Sequence, residues 1–556
     1  MTSAASLPGE IRSPFTASRL TSAERDALDA ADRAIAQAME DLPLPGIALA
    51  VVDRDGLMAT RAYGWADLAA RTPVTDDTLF EIGSIGKSFT AAVLLQLAEE
   101  GVVDIDAPVS DYLTWFAAGD PEHPITLHHL LTHTGGIVGG SDVSLDPRYE
   151  VWALRHTQTV PPGGRWHYSN AGYKALGLVI EAVTGKPYAE VVRERLLAPL
   201  GMDASSGEIV HETRRRLAVG YAPFHDDRPW LPEHGLVPAT WLETNTGDGC
   251  IAATAADLAQ WLRTTLNDGT GPNGRIMSAE SFARMIAPHA ESSPGATYGY
   301  GLETAEQDGW RSLGHDGGMV GYLSTMTGGP ESGVGVVMLT NGIVGVEDIA
   351  RFVLRSIVAA RAGDALPALP GLPDAPPIVD YAGTYRGDAG EIVVEADGER
   401  LTMRRNGEIV PLVAPIQRAI PDGFVADHPA FAHFLVRFGR NEASEVVEVV
   451  HGPDVWARDG HNLAPVAEHP AEWAAYPGHY RCYNPWSPSF RVVLRRGDVV
   501  LVYPSGHERA LTPDGEAFRV GGEDATDRLV FATIVEGEAL RARWLGGNDY
   551  YRFFTP

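Results

Sequence analysis

Residues 80 to 90 read Phe-Glu-Ile-Gly-Ser-Ile-Gly-Lys-Ser-Phe-Thr (FEIGSIGKSFT), and the apolar run AAVLLQLAEE follows at 91 to 100. The pattern predicts a helix with Ser84 in its first turn and Lys87 three positions later on the same face. A serine hydroxyl is a poor nucleophile until a neighbouring base takes its proton, and a desolvated lysine can be that base. The helix N-terminus also favours negative charge growing at Ser84. The spacing is rare in this chain: it has three lysines, and the residues three before Lys174 and Lys186 are Ala171 and Val183. Gly86-Lys87-Ser88 imitates the end of a phosphate-binding loop, but that motif requires glycine at position 81, where Glu81 would repel a phosphate.

Two further stretches carry chemistry. Tyr168-Ser169-Asn170 follows the turn-rich PPGGRWH. A tyrosine there can pass a proton to a leaving group, and the Asn170 amide can bind a substrate carbonyl or position the lysine. Alone, the tripeptide reads as a cap for a helix starting near Ala171. His315-Asp316-Gly317-Gly318 leads into a strand pattern over 322–327. In isolation it is a loop with a solvent-facing histidine. Beside a nucleophile, Gly317 and Gly318 let a substrate approach the backbone, and the Gly318 and Ser84 N–H groups can hold an oxyanion.

Around these motifs the chain alternates helix and strand. SAERDALDAADRAIAQAMED at 22–41 has helical period, and GIALAVVDRDG with LMATRAYGWADL reads as a hairpin turning at Asp55-Gly56. Helical patterns dominate from Ser88 into the 260s, and antiparallel strands turn around Pro330. Residues 362–377 hold five prolines and mark a linker. Beyond it Tyr381-Ala-Gly-Thr-Tyr-Arg386 recurs 95 residues later as Tyr476-Pro-Gly-His-Tyr-Arg481, each copy continuing into alternating strands. The expected division is a catalytic domain over 1–362 and two all-β modules over 378–465 and 472–556.

The 556 residues exceed what one core serves, and 44% hydrophobic with 21% charged residues is globular composition. A net charge of -29 argues against nucleic acid and anionic lipid as partners. The N-terminus lacks a basic start followed by an apolar stretch, and no run of about 18 apolar residues occurs, so the expected location is cytoplasmic, away from membranes. Two cysteines, Cys250 and Cys482, on opposite sides of the linker exclude a disulfide framework and suit a reducing compartment.

Taken together, FEIGSIGKSFT, ITLHHLLTHTGGI (125–137), WHYSNAG (166–172) and GHDGGMVG (314–321) resemble the penicillin-recognising serine hydrolases, in the branch of class C β-lactamases, D-aminopeptidases and esterases. The likeness covers roughly residues 40 to 345. It implies an α+β fold: an antiparallel sheet with flanking helices and a helical subdomain. Ser84 would be the acylated nucleophile, Lys87 its base and Tyr168 the proton shuttle, with Asn170 a substrate or lysine contact. His315 would stand where many relatives carry the lysine of Lys-Thr-Gly, so efficient β-lactam hydrolysis is not expected. The trailing modules are similar to the D-aminopeptidase arrangement, in which two small antiparallel barrels follow the catalytic domain and a loop of the last reaches the cleft.

The resulting expectation is a D-stereospecific aminopeptidase or amidase acting on short substrates without cofactor or metal, with a homodimer as a compatible assembly. Asp524 or Asp527, in the loop GGEDATD, would grip the substrate ammonium. A carboxylesterase or weak β-lactamase is the alternative within the family, and a catalytically silent ligand-binding protein the alternative outside it. A zinc reading of His128, His129 and His133 would need His129 and His133 one helical turn apart, and it lacks a glutamate base between them.

Overall fold

The hairpin expected at Asp55-Gly56 is formed by β1 (Gly46–Asp53) and β2 (Gly56–Asp67). β1 is buried along its whole length, as its unbroken apolar sequence requires of a strand covered on both faces. The computed structural model describes residues 19–137, 146–156, 159–307, 309–369, 377–415, 420–522, 525–545 and 547–554. The chain forms two units, one of Met1–Ala222 with Val237–Pro370 and the other of Pro223–Leu236 with Gly371–Pro556. The expected uninterrupted run 1–362 is therefore broken by a stretch that groups with the C-terminal modules.

In the first unit β3 (Thr72–Pro73), β4 (Ala290–Ser293), β5 (Ala296–Tyr298), β6 (Glu303–Gln307), β7 (Trp310–Met319), β8 (Tyr322–Gly329) and β9 (Val334–Thr340) complete a sheet of order β4-β5-β6-β7-β8-β9-β1-β2-β3. The pairs are antiparallel, and β1 meets β9 with Ile47 opposite Thr340, so the two ends of the domain join at the sheet's middle. Ile47, Leu49 and Val51 pack in one core with the helices α1 (Ser22–Asp41) and α6 (Glu347–Ala362), while Ala48, Ala50 and Val52 face the other core. That second core holds α2 (Gly86–Glu99), α4 (Asn170–Thr184) and α5 (Ala255–Leu266), and α3 (Leu127–Leu131) lies beside α4. α1 starts at a Thr21 capping box with Glu24, and Arg361 on α6 bonds both Glu24 and Asp53 of β1.

The second unit carries two closed antiparallel barrels of eight strands each, the first from Gly383–Gly387 to Asp454–Arg458 and the second from Gly478–Arg481 to Asp549–Phe553. The repeated motif has the same job in both. Tyr385 donates its hydroxyl to Tyr381 O at 2.7 Å, and Tyr480 donates to Tyr476 O at 2.8 Å. Each tyrosine ties the entry of its barrel to the first strand. The stretch 223–236 is held here by charge and by an apolar plug: Asp226 takes two bonds from Arg481, and Leu231 packs on Val425 and Leu435.

Candidate active site

Ser84 lies in a 3-10 turn, Gly83–Ile85, immediately before α2 starts at Gly86. The sequence had placed it inside the α-helix; the tighter turn comes first, and Lys87 falls in the helix's opening turn. α2 is buried on almost every side, which explains an apolar sequence without a polar stripe. Two of its buried hydroxyls are satisfied: Ser88 donates to Ile85 O at 2.7 Å and accepts from Trp261 Nε1 at 2.8 Å, and Thr90 donates to Gly247 O at 2.6 Å.

Lys87 is fully buried, and its Nζ donates to Ser84 Oγ at 2.9 Å and to Asp248 O at 2.7 Å. Among the described residues no carboxylate stands within ion-pair distance of it. The Tyr168 ring centroid is 4.9 Å from the same nitrogen and that of Tyr173 is 5.6 Å away. The structure thus gathers Ser84, Lys87 and Tyr168 around one amine. Ser84 itself is half-buried.

Tyr168 is held from behind. Ser169 caps α4 through Gly172 N, and its own N–H donates to His133 Nδ1 at 3.0 Å. That bond assigns the proton of the neutral His133 ring to Nε2. His133 is wholly buried, and burial, then the nearby Lys87 side chain, holds its pKa well below the usual range. It sits at a left-handed φ of 58°, past the end of α3. His129 and His133 therefore do not share a helix face, contrary to the geometry a zinc pair would need, and His129 Nδ1 instead accepts Thr126 N–H at 3.2 Å. Asn170 is the first residue of α4 and half-buried.

Of the two readings of His315, the strand beside Ser84 holds and the isolated loop does not. His315 lies in β7, opposite Met326 of β8, and is half-buried, not solvent-facing. Its Nδ1–H donates to Asp316 O at 2.5 Å, and its Nε2 accepts the Tyr298 hydroxyl at 2.9 Å. Both nitrogens are used by the neutral ring, and burial, then Lys87, pushes its pKa down to about 4. β7 runs tightly along the turn that holds Ser84. A Cβ on Gly317 would stand 1.9 Å from Ile82 O, and one on Gly83, at φ 51°, would meet Gly318 N at 2.6 Å. Only glycine permits that approach. A cavity of about 220 Å³ opens beside Tyr168 and His315, with Trp166, Tyr298, Glu303 and Asp316 also lining it.

Three residues of this arrangement were not singled out by their sequence: Asp248, which supplies a carbonyl, and Tyr173 and Tyr298, which supply rings. A backbone acceptor leaves no mark in the sequence, and buried tyrosines look like core. His133 was singled out only as a metal candidate. Of the two acidic residues expected to take an ammonium, Asp524 lies outside the described residues. Asp527 is exposed, just before the strand Arg528–Val535 of the second barrel, and its carbonyl accepts Val520 N–H at 3.1 Å.

Residues 31–359 match the family model described as Beta-lactamase. "Penicillin-binding protein 4" of Amycolatopsis lactamdurans is 33% identical over 372 residues, 62% of this chain and 94% of the relative. The "D-aminopeptidase" of Brucella ovis is 30% identical over 295 residues, 50% of this chain and 52% of its own length, so the alignment spans about half of that relative. Among solved structures, the octameric penicillin-binding protein homologue from Pyrococcus abyssi matches with a TM-score of 0.55 and 24% identity, covering 78% of this chain and 100% of that one, a likeness of fold alone. Among the described residues no helix is long and apolar enough to cross a membrane. The family match covers more than half of the chain and contains the Ser84, Lys87, Tyr168 and His315 positions, and the protein belongs to the beta-lactamase family of penicillin-recognising serine hydrolases.

Proposed function

We propose that this serine hydrolase is a D-stereospecific aminopeptidase or amidase that works through an acyl-enzyme on Ser84. The observation that carries the reading is the 2.9 Å bond between Lys87 Nζ and Ser84 Oγ, with no carboxylate within ion-pair distance of Lys87 among the described residues. With Lys87 as the neutral amine, Ser84 Oγ attacks the substrate carbonyl as its proton passes to Lys87 Nζ. The oxyanion is held by the Ser84 and Gly318 N–H groups. Tyr168, over Lys87, relays the proton to the departing amine, the C–N bond breaks, and the acyl group stays on Ser84. Water activated by the same pair then releases the acid and restores the serine.

Support for an amine-bearing substrate over a β-lactam comes from His315. As a neutral ring bonded on both nitrogens it offers no fixed cation for a β-lactam carboxylate. The likeness to D-aminopeptidases adds to this.

The test has two parts. A fluorophosphonate probe should label the wild type and fail on Ser84→Ala, with the fold unchanged by circular dichroism. A panel of D- and L-alanine amides, p-nitrophenyl acetate and a chromogenic cephalosporin should then show fastest turnover of the D-amide. Preference for the acetate ester with no turnover of amine-bearing substrates would make the protein an esterase. Absence of labelling and of turnover would leave a ligand-binding protein.

A further inference from the structure

In the second unit a cavity of about 420 Å³ is walled by residues of both barrels, among them Phe434 and Pro453 of the first and Arg491, Val493, Arg552 and Phe553 of the second. Arg491, on the strand Ser489–Arg495, is only 8% exposed. A guanidinium has five N–H donors and loses its hydration when buried, so it needs acceptors or an anion in exchange. Among the described residues Arg491 has one: its Nη2 donates to Asp227 Oδ2 at a long 3.3 Å. Asp227 is already engaged by Arg228 through two shorter bonds, at 2.7 and 3.1 Å. The buried Nε–H of Arg491 has no hydrogen-bond partner among the described residues.

The rest of the lining neither neutralises Arg491 nor closes over it. Arg552 adds a second guanidinium, and the one carboxylate in the wall, Glu538, lies 3.6 Å from Arg552 Nε and is largely exposed. The apolar part of the wall is also incomplete. Phe553 remains 55% exposed, and the Phe434 ring centroid is 5.9 Å from Arg491 Cζ. An under-satisfied guanidinium next to uncovered aromatic surface calls for a ligand with one anionic, planar, two-oxygen group on an apolar body.

We propose that this cavity is a binding site for a small organic carboxylate, the carboxylate on Arg491 and its aromatic or aliphatic body against Phe434 and Phe553. It is separate in residues and in chemistry from the Ser84 pocket, and it needs no catalytic step. Arg491 supplies the charge and the fork geometry that a carboxylate matches. The aromatic rings select against inorganic anions, which would leave them uncovered.

Calorimetric titration of the full-length protein with phenylacetate, phenylacetamide and inorganic phosphate tests this. Phenylacetate should bind, with the amide and phosphate weaker by about tenfold or more, the scale of a charge-assisted bond. Arg491→Gln should weaken phenylacetate by a similar factor, and Val493→Trp, which fills the cavity and leaves the charge in place, should do the same. If Arg491→Gln fails to fold, the wild-type comparison of acid with amide and Val493→Trp still decide the matter. The assignment is overturned if phenylacetate does not bind, if the amide or phosphate binds as tightly, or if both variants bind phenylacetate like the wild type, which would locate it elsewhere.

Discussion

The rings of His133 and Tyr168 lie 4.3 Å apart, centroid to centroid, and the same histidine accepts the N–H of Ser169 next in the chain. His133, from the stretch ITLHHLLTHTGGI, thus holds Tyr168 from behind. His133→Phe keeps most of the ring and loses the acceptor, leaving the buried Ser169 N–H unpaired. Small misplacement of a proton-relaying group is expensive, so kcat should fall roughly 10- to 100-fold. KM should stay within about twofold, since the histidine touches no substrate; steady-state kinetics on the best substrate of the panel checks the split.

Lys87→Met removes the one side-chain group that, among the described residues, donates a hydrogen bond to Ser84 Oγ, while keeping an unbranched chain in the same space. Turnover should drop by roughly 10²–10⁴-fold, the range of a lost general base. Fluorophosphonate labelling should slow in parallel. Labelling at the wild-type rate would remove Lys87 from the chemistry.

Glu81 ends up 4% exposed, three residues before Ser84, and burial raises its pKa from 4.5 to about 8. The folded protein therefore keeps a proton that the unfolded chain gives up near pH 4.5. Stability from this group is full below that pH and is lost as pH rises through 8. Glu81→Gln imitates the neutral acid, so it should raise Tm at pH 8 and change it little at pH 4.5. At pH 7 the gain should be up to roughly 3 kcal/mol. Thermal melts of both proteins across this range give the answer, and a lower Tm for the variant at pH 8 would refute it.

His315 shifts the other way. With its pKa at about 4 against an ordinary 6.5, the unfolded chain takes up the proton first as the solution is acidified. Stability is full above pH 6.5 and declines as pH falls through 4. His315→Gln cannot charge, so its Tm should fall less between pH 7 and 4 than that of the wild type. Equal slopes would show that the ring is already free to protonate.

Lys174 on α4 and Glu150 on the short helix Pro147–Ala153 form an ion pair that is 6% and 3% exposed. Lys174→Met leaves the carboxylate buried without its ammonium and should cost roughly 3–5 kcal/mol in denaturant unfolding. The double variant with Glu150→Leu should recover much of that loss, because the buried carboxylate is then gone as well.

The chemistry of this protein is written locally. The three-residue step from Ser84 to Lys87 is short enough for one turn of chain to bring the two groups together, so the spacing in FEIGSIGKSFT already implied their contact. The β1–β2 hairpin and the doubled barrels were legible for the same reason: alternating strands and turn residues are short-range signals, and a 95-residue repeat exposes itself by comparison within the chain. What depended on folding is whatever joins distant segments. β7 is a strand because it pairs with β6 and β8, a pairing that its glycines and lone histidine do not announce. Asp248 reaches Lys87 through a backbone oxygen 161 positions away, and His133 reaches Ser169 across 36. The stretch 223–236 groups with barrels far along the chain through Asp226 and Leu231, two residues with nothing unusual in their sequence surroundings. Side-chain type and spacing could bring Ser84 and Lys87 together, but the walls around them are non-local contacts, and those are decided by packing.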